Sequence, residues 1–296
     1  MKIGILQINP LVGDLAGNAS ALLAAARKAA SLGAGLCIAS ELVLCGHPPT
    51  DLLLGEAFIL ACGNTLRDMA KSLQEEALPP LLLGAPVANP VPQGKSIHNG
   101  AVFLRDGKVI VICRKVLLAR EGSGDDLRYF EPGVACGMVQ YKGWRLAVTV
   151  GEDIWNDRTF WHGRRTYETD PVAEFMASGA DALVNIAAMP FEIGGVYLRE
   201  RILGWSAVRY RVPLLCANQA GGQDGTIYDG KSVCFNAYGA VTARAAAFAE
   251  DLLLVDLVKP GEAIDAPAPS DNEDIWAALT LGLRDFVRKC GGKKVL

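Results

Sequence analysis

Three short polar segments, each at the end of an apolar run, carry the side chains best suited to chemistry. Glu41 follows the run 35–39, Lys115 follows the run 109–113, and Gly151 opens a polar segment after the run 146–150. If the runs are strands of a sandwich, their ends open onto one edge, where these positions could converge. A carboxylate and an ammonium that meet there could transfer a proton and stabilise negative charge, so the segments define a candidate site.

The elements that must position this site alternate along the whole chain. Apolar runs predict further strands at 2–8, 81–87, 182–187, 214–217, 232–236 and 252–257. Periodic patterns predict helices at 18–31, 52–73, 171–178 and 198–209. Asp106-Gly107 indicates a two-residue hairpin, whereas the glycine-rich residues 221–225 lack the Lys-Ser/Thr of a phosphate loop and predict a turn. The mixture predicts one large α/β sandwich.

Composition narrows the classes of function. The 296 residues are 51% hydrophobic with a net charge of −3, which is typical of a globular protein, and no basic stripe suggests nucleic acid or a membrane surface as partner. With neither a signal peptide nor an apolar stretch of about 20 residues, we expect a cytoplasmic protein. The eight cysteines form no C-x-x-C pair and the three histidines have no zinc-type spacing, so we expect free thiols and no metal site. Glu152 and Asp153 are expected to make structural hydrogen bonds rather than bind a metal.

Six motifs follow one another in order along the chain. They are ELVLCGHPPTDLL at 41–53, RYFEPG at 128–133, GEDIW at 151–155, NQAGGQD at 218–224, DGKS at 229–232 and LGLRDFVRK at 281–289. Together they resemble the nitrilase superfamily of carbon-nitrogen hydrolases, and in particular the glutamine amidase domain of glutamine-dependent NAD synthetases. The resemblance covers essentially the whole chain. It implies a four-layer α-β-β-α sandwich that forms homo-oligomers.

The resemblance also assigns roles to the site residues. Glu41 matches the family's base and Lys115 its oxyanion-stabilising residue, while Asp126 matches a second active-site acid and is one methylene shorter than the usual glutamate. Gly151 stands where the family has its nucleophilic cysteine, whose thiol, with a pKa near about 8.5, needs a base to become reactive. Glycine cannot form a thioester, so we predict that glutamine hydrolysis is lost.

Three substrate positions differ as well. Glu121 replaces a tyrosine that helps hold glutamine, and Met189 and Gly195 replace the serine and the basic residue that grip its amino-acid end. Neither Met189 nor Gly195 has a side chain that binds a carboxylate. Because a single engineered substitution would not change all these positions, natural loss of glutamine binding and hydrolysis is the preferred interpretation.

The expected organisation is an amidase-like domain at 1–258, a Pro- and Gly-containing linker at 259–272, and a helix at 273–296 that leads toward an absent C-terminal NAD synthetase domain. That domain would be the partner and would use ATP and magnesium, whereas no cofactor is expected in the domain described. Two alternatives stay open. One is a non-catalytic small-molecule binding or regulatory module on the same scaffold, and the other is an amidase with a different nucleophile, such as Cys45 or Cys136.

Overall fold

The computed structural model describes residues 1–119, 125–163, 165–223, 225–259, 261–265 and 271–293. Its strands are β1 (Lys2–Gln7), β2 (Leu36–Ala39), β3 (Leu81–Ala88), β4 (Ile97–Arg105), β5 (Lys108–Arg114), β6 (Gly137–Tyr141), β7 (Trp144–Val150), β8 (Ala182–Ala187), β9 (Leu214–Asn218), β10 (Ala220–Gln223), β11 (Thr226–Asp229), β12 (Val233–Phe235), β13 (Val241–Arg244) and β14 (Asp251–Asp256). Its helices are α1 (Leu15–Ser31), α2 (Glu56–Glu75), α3 (Asp126–Tyr129), α4 (Pro171–Met176), α5 (Gly195–Tyr210) and α6 (Asp271–Lys289).

Two six-stranded mixed sheets pack face to face. The first has the order β14-β1-β2-β3-β4-β5 and the second the order β13-β12-β9-β8-β7-β6. Helices α1 and α2 cover the outer face of the first sheet, and α4 and α5 cover that of the second. The predicted four-layer α-β-β-α sandwich is therefore confirmed.

Alternation of side chains along each strand explains why these runs need apolar residues on both faces. In β1, Ile3 and Ile5 enter the core between the two sheets, whereas Leu6 faces the helices. In β7, Leu146 and Val148 point into the same inter-sheet core, and Ala147 points the other way toward the outer helices. Each sheet therefore packs against the inter-sheet core on one face and against a helix-covered core on the other.

Two local predictions have different outcomes. The hairpin at Asp106-Gly107 is confirmed, since Arg105 of β4 pairs with Lys108 of β5 across that turn. A continuous helix over 52–73 is wrong: a 3-10 turn spans Thr50–Leu54, and α2 starts only at Glu56. Gly55 between them has an extended backbone (φ −85°, ψ 108°), which breaks the helix.

The glycine-rich segment was expected to be a turn, and this is corrected by the structure. Ala220–Gln223 forms strand β10, which pairs with β11 as a separate hairpin. Small residues suit this strand because α6 lies directly on it. A Cβ at Gly222 would lie only 3.1 Å from the Cα of Gly282. The C-terminal helix starts at Asp271, two residues before its expected start, and packs against this hairpin. Part of the predicted linker (260 and 266–270) and residues 294–296 lie outside the described residues.

Candidate active site

The ends of three strands bring Glu41, Lys115 and Gly151 to one point. Glu41 lies in the turn after β2, Lys115 directly follows β5, and Gly151 directly follows β7. The Lys115 Nζ donates to Glu41 Oε1 at 2.8 Å. The β3 backbone supports this turn closely, because a Cβ at Gly84 would lie 2.3 Å from the Leu42 nitrogen. The predicted convergence at one edge of the sandwich is therefore present.

The Lys115 ammonium is surrounded by three carboxylates. It pairs with Glu41 at 2.8 Å and with Asp126 at 2.6 Å, and Glu152 also pairs with it. Lys115, Glu41 and Asp126 are almost fully buried, and the Glu152 side chain is 36% exposed. Sequence reasoning placed Asp126 at this site, and the structure brings it there although its side chain is one methylene shorter than the family's.

The pKa values in this cluster follow from burial and from the single positive charge. Burial opposes the charge on Lys115, but the three carboxylates outweigh it and raise the pKa of the ammonium well above its ordinary value. Burial raises the pKa of Glu41 and of Glu152 despite the neighbouring Lys115. Burial opposes the charge on Asp126, but Lys115, together with His47 and the Ala119 backbone N–H, outweighs burial, and the pKa of Asp126 is lowered. A proton bound by the cluster therefore belongs on Glu41 or Glu152 rather than on Asp126.

Hydrogen bonds fix the orientation of the Glu41 carboxylate. Asn99 Nδ2 donates to Oε1 at 2.7 Å, and the Ala188 backbone N–H donates to Oε2 at 3.2 Å. On the facing strand end, Asn185 Nδ2 donates to the Gly151 carbonyl at 3.2 Å. The carboxylate and position 151 are thus held by neighbours from both sheets.

Gly151 faces this cluster directly. Its φ of +50° is in the left-handed region, which side chains rarely adopt. A Cβ at this position would lie 2.7 Å from Glu41 Oε2 and 2.8 Å from Lys115 Nζ. A side chain at 151 would therefore point at the Glu41 carboxylate and the Lys115 ammonium, but the glycine offers no attacking atom.

The carboxylates of the two acidic residues after Gly151, Glu152 and Asp153, make different contacts. Asp153 accepts hydrogen bonds from the backbone N–H groups of Val116 and Leu117 at 2.9 and 2.8 Å, and burial raises its pKa to about 7. It ties the Gly151 turn to the loop that carries Lys115, as expected of a structural residue. Glu152 instead pairs with Lys115, so its carboxylate belongs to the buried ion cluster. Only its adjacency to the nucleophile position could have signalled this in the sequence.

A cavity of about 680 Å³ opens onto Gly151. Met189 and Gly195 both line it, so the structure brings these two predicted substrate positions to the site, whereas Glu121 lies outside the described residues. The Met189 backbone N–H donates to Asn218 Oδ1 at 2.8 Å. Other lining side chains, which sequence reasoning did not select, are Trp155, Trp161, Arg165, Tyr167, Glu192 and Arg199.

Arg199 is a positively charged residue of the cavity wall that the sequence analysis did not select. Its charge is neutralised by a neighbouring carboxylate. Its guanidinium makes a bidentate pair with Asp229 at 3.0 and 2.8 Å, and both side chains are buried. Arg199 lies four residues after Gly195 on α5, one helical turn along the same face. That spacing could have indicated a second basic position near the pocket.

The alternative nucleophiles are poorly placed. Cys45 is fully buried and Cys136 nearly so, and burial raises the pKa of both thiols far above the ordinary value. Neither lines the cavity at Gly151. A thiol of this kind stays protonated and unreactive.

Metal binding has one geometric candidate among the described residues. Carboxylate oxygens of Glu41, Asp126 and Glu152 all lie within 4.8 Å of one another. The Lys115 ammonium pairs with each of the three and supplies the positive charge that a metal ion would bring. The donor set fits a lysine-centred ion cluster better than a cation site.

Comparison with known proteins places this geometry in a family. The family model of the carbon-nitrogen hydrolases matches residues 2–261. The chain belongs to the carbon-nitrogen hydrolase family. It is 36% identical over 99% of its length to the glutamine-dependent NAD(+) synthetase of Synechocystis sp., and 30% identical over its full length to that of Thermotoga maritima. It spans about half the length of these curated relatives, 54% and 55%.

Solved structures agree with this fold. The chain resembles the glutamine-dependent NAD+ synthetase of Acinetobacter baumannii with a TM-score of 0.83 and 27% identity, over 97% of this chain and 52% of that one. An amidase of the nitrilase superfamily from Nesterenkonia AN1 matches with a TM-score of 0.71 and 23% identity, over 87% of this chain and 90% of that one. Among the described residues, no helix has the length and apolar character needed to cross a bilayer.

Proposed function

We propose that this chain is the amidase-like domain of a glutamine-dependent NAD synthetase and that it does not hydrolyse glutamine. Relatives carrying that name match the chain over nearly its full length, and the chain makes up about half of each. In this proposal the other half of the protein is the synthetase domain, which uses ATP and magnesium to form NAD. The domain described needs no cofactor of its own.

The loss of hydrolysis rests on one observation: position 151 is a glycine, at a point where a Cβ would lie 2.7 Å from Glu41 Oε2 and 2.8 Å from Lys115 Nζ. In the family's reaction a thiol at this point attacks the amide carbon, the base takes its proton and returns it to the departing ammonia, and the ammonium stabilises the oxyanion. Glu41 and Lys115 remain, but no covalent intermediate can form. Loss of a nucleophile costs on the order of 10⁶ in rate in a serine protease, so no measurable glutaminase activity is expected.

The retained charges take on a structural role in this proposal. Lys115 holds Glu41, Asp126 and Glu152 together where β2, β5 and β7 end, so it joins the two sheets at this edge. The domain would then act as a scaffold for its synthetase partner, which would draw on free ammonia or on ammonia from elsewhere.

Ammonia release from glutamine, followed by a coupled glutamate dehydrogenase assay, tests the proposal directly. The Synechocystis relative, assayed in parallel, controls for the conditions. We expect no release above background from this chain. Glutamine-dependent release at a rate comparable with the relative would contradict the loss of hydrolysis.

The open cavity supports a second candidate, a binding module that recognises another small molecule without turnover. About 680 Å³ remains beside Gly151, walled by Trp155, Trp161 and Tyr167 with Arg165 nearby. Thermal shift measurements separate the candidates, since a ligand that binds the native state raises the melting temperature. A shift with a compound other than glutamine would favour the binding module, and no shift across a metabolite panel would favour the scaffold.

A further inference from the structure

The floor of the cavity beside Gly151 carries more negative than positive charge. Lys115 pairs with three carboxylates, those of Glu41, Asp126 and Glu152. Among the described residues, no second basic side chain pairs with any of them, so two negative charges are left over when all three are ionised. Glu41 and Glu152 line the cavity, and a ligand inside it meets this excess directly. A bound proton or a bound cation can offset the excess.

Unused hydrogen-bond acceptors lie next to the same floor. Asn99 and Asn185 are fully buried, and their Nδ2 atoms donate to Glu41 and to the Gly151 carbonyl. The Oδ1 atom of each asparagine has no donor among the described residues. Glu41 Oε2, on the side of Gly151, accepts a single long bond of 3.2 Å from the Ala188 N–H in this part of the structure. The floor is therefore rich in acceptors and short of donors, which favours a ligand that brings N–H groups.

Aromatic side chains form the wall above this floor. Trp155, Trp161 and Tyr167 line the cavity, and we call these three the aromatic wall. Trp161 Nε1 donates to the Trp155 carbonyl at 2.6 Å. Tyr167 OH donates to the Leu118 carbonyl at 2.9 Å. Because the backbone engages both polar tips, the wall offers a ligand mainly ring surface, which attracts organic cations and packs against apolar groups.

The charges of the rest of the wall balance one another. Arg199 is held in its bidentate pair with Asp229. Arg165 is the other basic side chain in the wall that the structure describes, and its Nη2 donates to the Glu168 carbonyl at 3.3 Å. Its charge is matched by that of Glu192, which lines the same cavity. The floor therefore sets the sign of the charge that the cavity presents.

We propose that this cavity binds an organic primary ammonium ion that carries an apolar body, with its N–H groups on Glu41 and Glu152 and its body against the aromatic wall. The inference deepens the second candidate function and rests on it. Lys115 occupies the point between the three carboxylates, so the ligand would bind on their cavity side rather than replace it. Gly151 keeps Glu41 Oε2 open on that side, since a Cβ would stand 2.7 Å from this oxygen.

Four probes that share a phenyl ring test the proposal on the unmodified protein. Phenethylamine carries an ammonium, phenethyl alcohol no charge, hydrocinnamate a carboxylate, and phenylalanine both charges. Thermal shift and calorimetric titration measure their binding at mildly alkaline pH, where a proton competes least for the carboxylates. We expect phenethylamine to raise the melting temperature and to bind about tenfold or more tightly than each of the other three.

Glu152→Gln tests whether the floor provides the contact. The substitution removes one carboxylate of the cluster and keeps the shape of the side chain. Glu168→Gln, on the exposed segment beside the cavity, is the matched control. We expect phenethylamine to bind about tenfold more weakly to Glu152→Gln and equally well to Glu168→Gln. The four probes need no variant, so they decide the matter even if Glu152→Gln does not fold.

Equal binding of the amine and the alcohol would overturn the proposal, because the charge would then contribute nothing. Tighter binding of hydrocinnamate or phenylalanine would also overturn it and would assign the cavity to carboxylates through Arg165. A melting shift with some other metabolite and none with phenethylamine would refute the cationic ligand and keep the binding module. Ammonia release from glutamine reports separately on the proposed loss of hydrolysis.

Discussion

Replacing Lys115 with methionine should destabilise the fold through the charges it leaves behind. The ammonium lies 2.8 Å from Glu41 and 2.6 Å from Asp126, with 2% of its side chain exposed. At an effective dielectric constant near 20, each pair contributes about 6 kcal/mol of attraction before the cost of burial is counted. Breaking a buried pair by removing one partner typically costs about 3–5 kcal/mol, because the other charge stays buried. We expect Lys115→Met to lower the free energy of unfolding by that amount.

The loss should depend on pH with a definite sign. Glu41 and Glu152 have raised pKa values in the folded protein, and stability from such groups is fully present below their unfolded pKa and is lost as pH rises through the folded value. Without Lys115 both values rise further, so the mutant should lose stability over a wider range of rising pH. The difference between mutant and wild type should therefore be larger at pH 8 than at pH 5.

Chemical denaturation followed by tryptophan fluorescence at both pH values measures this difference. Lys71→Met is the control, because Lys71 is 64% exposed and its pair with Asp68 is at 3.4 Å. That control should behave as wild type. A Lys115→Met protein within about 1 kcal/mol of wild type at both pH values would refute the assignment of a buried charge cluster.

Three further changes test the site and its surroundings by the same denaturation measurement. Gly151→Ala should cost about 2–3 kcal/mol and Gly143→Ala about 1 kcal/mol, since both have positive φ but only the first adds a close contact; equal costs would remove the argument from crowding. Burial lowers the pKa of His47 to about 4. The neutral folded imidazole therefore stabilises the fold fully above pH 6.5, and this contribution to the free energy of unfolding is lost as the pH falls toward 4. His47→Phe should make the free energy of unfolding less dependent on pH in this range. Arg199→Met should cost about 3–5 kcal/mol by leaving Asp229 buried and unpaired, and a neutral result would show that water reaches the pair.

Much of the site followed from the order of the strands. Glu41, Lys115 and Gly151 were predicted to meet because each follows a buried run, and in a sandwich such ends share one edge. The motifs added the pairing of Asp126 with this group. Local pattern and family resemblance were sufficient to predict these positions, because each one is placed by the backbone at the end of a strand.

Other features depend on tertiary contacts that no local pattern encodes. No local pattern indicated that Lys115 draws the Glu152 carboxylate into the cluster. The hairpin at 220–229 looked like a turn because glycine is poor in strands, yet small residues are needed there for the close approach of α6. The break at Gly55 similarly interrupts a run whose apolar periodicity continues across it.

The central claim, that this pocket has lost glutamine hydrolysis through more than one change, is tested most directly by glutaminase assay of Gly151→Cys beside the wild type. On the proposed function, a thiol at 151 would still leave Met189 and Gly195, which we propose cannot hold the amino-acid end of glutamine, and its Cβ would crowd Glu41 and Lys115. We predict no ammonia release from either protein. Release by Gly151→Cys that disappears in Gly151→Cys/Glu41→Gln would contradict this account, because it would show an intact pocket that lacked only its nucleophile.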